Sequence, residues 1–159
     1  ENIEVEDTND AKGDVIEGIE YISNDNQGNI YIVKAKNGKN ESENTNLITL
    51  YNVEAILKFD KKKKITVTSN KAIYNTLNNN TDFMNDVIVV YGKHNIFCDK
   101  IIANFSENYA KLFGNLIYNN DLTKLYADQM EIDLFNRTSK TSMFNKKDIV
   151  KIIKKNGIN

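Results

Sequence analysis

Proline and tryptophan are absent from the chain, and cysteine and histidine occur once each, as Cys98 and His94. A lone cysteine excludes an internal disulfide and leaves the redox compartment undecided. A lone histidine excludes chemistry that needs several donors, because a triad requires an oriented base and a zinc site requires further imidazole or thiolate ligands. His94 falls in the turn signal Tyr91-Gly92-Lys93-His94 and reads as a solvated turn residue, while Cys98 reads as a packed core thiol. Neither a glycine-rich phosphate loop nor a nucleophile elbow is present. No enzyme, cofactor or metal is therefore expected. No apolar run approaches the roughly 20 residues that span a bilayer. The 21 basic and 22 acidic residues, a net charge of −1, give no electrostatic footprint for nucleic acid. Turns are left to seven glycines and to abundant asparagine, both of which tolerate positive φ.

What the chain does contain is a repeat. Ser69-Asn70-Lys71-Ala72-Ile73-Tyr74 is echoed by Cys98-Asp99-Lys100-Ile101-Ile102-Ala103 and by Ala127-Asp128-Gln129-Met130-Glu131-Ile132, at a constant step of 29 residues. A second motif accompanies it, in Leu50-Tyr51-Asn52-Val53, Met84-Asn85-Asp86-Val87 and Phe113-Gly114-Asn115-Leu116. Four units result, keyed by Ala35, Ser69, Cys98 and Ala127. A fixed period built from strand-type alternation marks stacked β units. Each copy alternates, meets a small residue and an Asn or Asp, and resumes on the opposite parity. A one-residue change of phase needs a bulge or a sharp bend. The expected fold is all-β, a single-domain jelly roll made of a bent, V-shaped stack of antiparallel strand pairs.

Residues 1–15 are acidic and sparsely apolar and read as a flexible leader, with the folded domain over 16–155. Ile19 to Ser23 and Asn29 to Ala35 read as a hairpin, Asn37 to Asn46 as a loop, and Ile65 as the start of a strand after a lysine turn. Asp148 to Lys155 fits a helical stripe or a last strand, and a strand is favoured because it covers an edge. Lys61 to Lys64 reads as a solvated hairpin tip or as a contact for phosphate groups or an acidic membrane surface. Asn70, Asp99 and Asp128 suggest either a calcium ladder or caps that accept backbone N–H bonds at the bend. A slot that takes Asn as readily as Asp does not require charge, which favours the caps.

The apolar alternates define an inner face of Val53, Ala55, Leu57, Phe59, Val67, Val87, Val89, Ile96, Ile101, Leu116, Leu125 and Met130, with Tyr91 and Tyr118 beside them. Periodicity alone is compatible with a closed core. A bent stack that stays open leaves an apolar groove suited to elongated lipids, and these twelve residues are the candidate lipid-binding set.

Gly28-Asn29-Ile30-Tyr31-Ile32-Val33-Lys34-Ala35, Leu50-Tyr51-Asn52-Val53-Glu54-Ala55 and the repeated units with Gly114-Asn115-Leu116 resemble the LptC/LptA (OstA-like) lipopolysaccharide-transport family over about residues 16 to 150. The order of elements looks more like LptC. The resemblance implies a periplasmic β-jelly roll tethered to the inner membrane by an N-terminal helix upstream of Glu1. It also implies lipopolysaccharide as ligand, an inner-membrane ABC transporter that supplies it, and an LptA-like receiver at the C-terminal edge, around Asp128 to Val150. The alternatives are an LptA-like bridge protein or a β-repeat scaffold without ligand.

Overall fold

The computed structural model describes residues 15–41, 43–60 and 62–156. The leader read over the first residues lies almost wholly outside this range. Ten strands form one antiparallel sheet: β1 (Val15–Asn24), β2 (Ile30–Asn40), β3 (Leu47–Phe59), β4 (Lys63–Asn75), β5 (Thr81–Tyr91), β6 (His94–Asn104), β7 (Tyr109–Asn119), β8 (Thr123–Asp133), β9 (Thr138–Ser142) and β10 (Lys151–Lys154). Consecutive strands are neighbours from β1 to β8, and β9 and β10 both pair with β8. The ambiguous C-terminal stripe is thus a strand. No helix among the described residues is long and apolar enough to cross a membrane.

One row of residues bends the whole sheet. It runs through Gly18, Lys36, Asn52, Asn70, Asn85-Asp86, Asp99, Gly114-Asn115 and Asp128, where the ladder pairing is interrupted on successive strands. On β5 and β7 two residues oppose one on the neighbouring strand, which is a β-bulge. Asn85, Asp86 and Asn115 have φ of 66°, 54° and 47°, and Gly114 has 84°. The left-handed backbone therefore falls on the second motif and on Asn52, at 51°, while Asn70, Asp99 and Asp128 keep negative φ.

The row divides each strand between two arms. Arm A carries Leu50, Ala72, Phe83, Ile101, Leu112 and Met130 inward, and arm B carries Val33, Val53, Ser69, Val87, Cys98, Leu116 and Ala127; all are buried. Inner residues are three apart across the corner on β4, β6 and β8, as in Ser69 and Ala72. On β5 and β7 they are four apart, as in Leu112 and Leu116. Either spacing brings both arms' apolar sides to the same interior. All four repeat keys, Ala35, Ser69, Cys98 and Ala127, lie buried at the corner.

Side chains clamp this row. Asn70 Nδ2 donates to Asp86 Oδ2 at 2.7 Å, and Asn115 Nδ2 donates to Asp99 Oδ2 at 2.8 Å. Asp128 Oδ2 accepts the Phe144 backbone N–H at 2.8 Å. The expected backbone capping thus holds at Asp128 only, and at the other two positions the partner is a side chain across the corner. Ser69 Oγ and Cys98 Sγ make the same contact to the carbonyl two residues on, at 2.8 and 3.6 Å.

Two boundaries differ from the sequence reading. β2 continues to Asn40 where a loop was expected, since Gly38 lies on the inner face against Ile19 and Leu50, where a Cβ would not fit. β4 begins at Lys63, so half of the lysine run belongs to a strand.

Gly114→Ala should destabilise the fold more than Gly28→Ala. Both glycines have φ above 80°, but an added Cβ meets open space at Gly28 and the Asp99 carboxylate at Gly114. Alanine at Gly28 should cost about 1–2 kcal/mol for the left-handed backbone alone. Urea midpoints check the order, and equal shifts would refute the clamped corner.

Candidate functional site

The interior between the arms is closed at the corner and along arm A out to Ile48, Tyr74, Thr81, Ala103 and Ala110, and looser toward the arm B tips of β3 to β8. Among the sequence-derived inner residues, Val53, Ala55, Val87, Ile101, Leu116 and Met130 are buried at 7% exposure or less. Leu57, Val67, Val89, Ile96 and Leu125 are partly buried against that core, and Phe59 is half-buried at the rim. The structure brings eleven of the twelve to one interior and leaves Phe59 at its rim. Ten belong to arm B, and Ile101 and Met130 sit on arm A.

Packing at the corner leaves no slack, because small residues (Ala55, Ala72, Ala127) alternate with Leu50, Phe83 and Leu116 across the arms. Further out, the side chains keep part of their surface exposed, and that is where another molecule can bury apolar area.

The arms touch through a few ties, which show how they are offset. Tyr21 of β1 packs on Tyr74 of β4 with ring centroids 4.9 Å apart. Tyr31 of β2 hydrogen-bonds Thr81 of β5 at 2.9 Å and packs on Phe105 at 4.6 Å. Burial pushes the Tyr31 phenol well above its ordinary range, even though the hydrogen bond to Thr81 pulls the other way. Arg137, the sole arginine, reaches from the β8–β9 turn to Asp60 at 3.3 Å and lies 5.7 Å from the Phe59 ring. Arm B of an early strand thus lies over arm A of a strand at least three places later. Arm B of β6 to β8 receives no such cover from a later full strand, in keeping with the partial exposure of Ile96 and Leu125.

At the tip of arm B the inner face ends in stacked rings. Phe59 and Tyr91 are 6.1 Å apart, Tyr91 and His94 6.0 Å, and His94 and Tyr118 5.8 Å, all within 28° of parallel. His94 Nδ1 and the Tyr118 hydroxyl share a 2.6 Å hydrogen bond. His94 is exposed, as expected, but it opens strand β6 and stacks between two tyrosines instead of sitting in the turn. Sequence alternation reached Tyr91 and Tyr118 but missed His94, whose ring continues the same parity as Ile96 and Cys98.

Burial, followed by the neighbouring Asp99 charge, pushes the Cys98 thiol up to about 12. Among the described residues, no cluster of three or more His, Cys, Asp or Glu could hold a metal ion.

Both ends of the sheet expose large apolar side chains. Val15, Ile16 and Ile22 mark the β1 edge, and Phe144, Ile149, Ile152 and Ile153 the edge around β9 and β10.

A family model for LptC-related lipopolysaccharide-assembly proteins matches residues 2–156. A search of curated proteins returned no significant match. Among solved structures, the fold is similar to that of LptH from Pseudomonas aeruginosa, described as the LptA-homologous periplasmic component of the lipopolysaccharide transport device. The TM-score is 0.57 and the identity 6%, over 77% of this chain and 93% of that one. At that identity the likeness concerns the fold alone.

Cys98 in the folded protein should resist alkylation at mildly alkaline pH and react once the chain is unfolded in urea. Mass spectrometry of the alkylated chain reads this out, and rapid labelling of the native protein would show that the corner opens.

Proposed function

The chain belongs to the LptC-related family of lipopolysaccharide-assembly proteins, and from this we propose that it is a periplasmic lipid carrier that shields acyl chains between its two arms. In this reading it receives lipopolysaccharide from an inner-membrane ABC transporter and passes it to an LptA-like protein, while an N-terminal helix upstream of Glu1 tethers it to the inner membrane. The observation that carries the reading is the gradient of burial along arm B, from a closed floor at Val53, Val87 and Leu116 to the only partly buried Leu57, Val67, Val89, Ile96 and Leu125.

The energetics favour such a surface. Each buried CH₂ is worth about 0.8 kcal/mol, so carrying one ordinary acyl chain through water costs on the order of 10 kcal/mol. Apolar walls along the route remove most of that barrier. The buried floor residues hold the arms together, and the partly buried row is where acyl chains lie. The whole candidate set has a role in this reading, divided between support and contact.

Hand-over fits the edges. An edge strand presents unpaired backbone groups that a partner's strand can extend. At the C-terminal edge β9 and β10 together pair with β8 at every residue but Ala127 and Asp128, their own outer sides pair with no strand among the described residues, and Phe144, Ile149 and Ile152 add exposed apolar surface. We assign the LptA-like receiver to this edge. The tight corner also supports a second reading, a β-repeat scaffold that holds no ligand.

Photo-crosslinking separates the two. A photoreactive residue at Leu57 or Val89 should label lipopolysaccharide in cells, and one at the outward Glu54 should not. Absence of label at every inner position in folded protein would leave only the scaffold. Val89→Asp should block transfer without unfolding the domain, whereas Leu116→Asp, at a fully buried position, should also lower stability. Lysine substitution of Ile152 and Ile153 should abolish binding of the LptA-like protein while transporter binding survives; the opposite pattern would refute the edge assignment.

A further inference from the structure

The stacked rings at the tip of arm B are flanked by basic side chains. Lys62, Lys63 and Lys64 lie in the turn and strand start just beyond Asp60, and Lys63 is the register partner of Phe59. Lys93 lies in the turn between Tyr91 and His94. Lys155 donates to the Asn120 carbonyl at 2.7 Å, beside Tyr118. Arg137 comes across from arm A to Phe59. Against these stand Asp60, paired with Arg137, and Asp121, paired with Lys93 at 2.7 Å. In a chain with a net charge of −1, this rim carries four more positive charges than negative ones.

Rings and cations here occupy the same boundary. The rings continue the parity of the apolar face, so a molecule whose tails lie along Val89 and Ile96 brings its next chemical group to Tyr91, His94 and Tyr118. Near-parallel aromatic faces suit the C–H face of a pyranose, and the Asn120 amide, 2.8 Å from the Tyr118 hydroxyl, adds a polar group at hydroxyl height. Lysines around the rings supply ammonium donors for phosphate, Lys93 and Lys155 from beside their partners Asp121 and Asn120.

We infer that this rim is a headgroup subsite for a phosphorylated saccharide, with the rings stacking on sugar and the lysines meeting phosphate, so that the lipid lies with its headgroup at the arm B tip and its tails toward the corner. The inference rests on the lipid-carrier reading and adds orientation and headgroup selectivity to it.

The test uses a water-soluble bis-phosphorylated glucosamine disaccharide without acyl chains, titrated into the isotopically labelled chain. Ring signals of Tyr91, His94 and Tyr118 should shift, and those of Tyr21 and Tyr74 should stay in place. Tyr91→Leu and the pair Lys93→Gln, Lys155→Gln should each weaken binding by about tenfold, the effect of losing roughly 1.4 kcal/mol. The unphosphorylated disaccharide should give no shift, and glucose 1-phosphate, the free sugar-phosphate source, should bind far more weakly than the disaccharide. Equal shifts with inorganic phosphate would overturn the subsite in favour of a plain anion patch, and equal competition by phosphatidylglycerol vesicles would overturn it in favour of a membrane contact. No ring shifts while crosslinking at Val89 persists would sink the subsite alone; loss of both would sink the carrier reading as well.

Discussion

Side chains on a β-strand must alternate between faces, and a sheet that folds over on itself has to break that rule once per strand without losing its apolar side. The corner row is where this happens. Asn85-Asp86 and Gly114-Asn115 supply left-handed backbone, Asn70 and Asp99 reach from the neighbouring strands to hold it, and Asp128 ties the end of the row to the Phe144 N–H. Everything apolar inside the molecule depends on this seam. Without it one arm would turn Phe83, Ile101 and Leu112 to water.

The seam also accounts for the uneven interior. The strands stay paired to their ends, and on arm B of β3 to β8 burial is complete at Val53, Val87 and Leu116 and relaxes toward Leu57 and Val89. Stability and capacity are thereby placed at opposite ends of arm B. A tight floor resists unfolding, and a loose rim can take up a guest without removing the contacts that keep the sheet bent. The offset of the arms extends the effect along the stack, with the early strands covered and the arm B tips of β6 to β8 left partly open.

Much of the architecture was legible in the sequence because it recurs. The 29-residue step placed Ser69, Cys98 and Ala127 at equivalent corners, the phase change announced the bend, and strict alternation named an inner face of which all but the rim residue Phe59 share one interior. Other features leave no periodic trace. The arm offset depends on single side chains, Tyr21 on Tyr74 and Arg137 on Asp60, that join distant strands. The extension of β2 through Gly38 was hidden because its Asn and Gly look like turn residues, although here glycine is needed to let two strands approach. The corner clamps were half visible: the slot was recognised, but not its preference for a side-chain partner. His94 lies in a turn signal with no partner for chemistry, and its contribution, a flat ring in a row, leaves no mark beyond its parity with Ile96 and Cys98.

The ties between the arms also imply an order of assembly. Every ladder but that of β10 with β8 joins consecutive strands through short connections, contacts that close small loops and form early. The ties do not. Tyr31 and Thr81 are 50 residues apart, and Asp60 and Arg137 are 77 apart. A nascent chain can therefore add bent hairpins one after another while its interior remains open, and it becomes enclosed only when a strand at least three places later has arrived. In this molecule the core is built last.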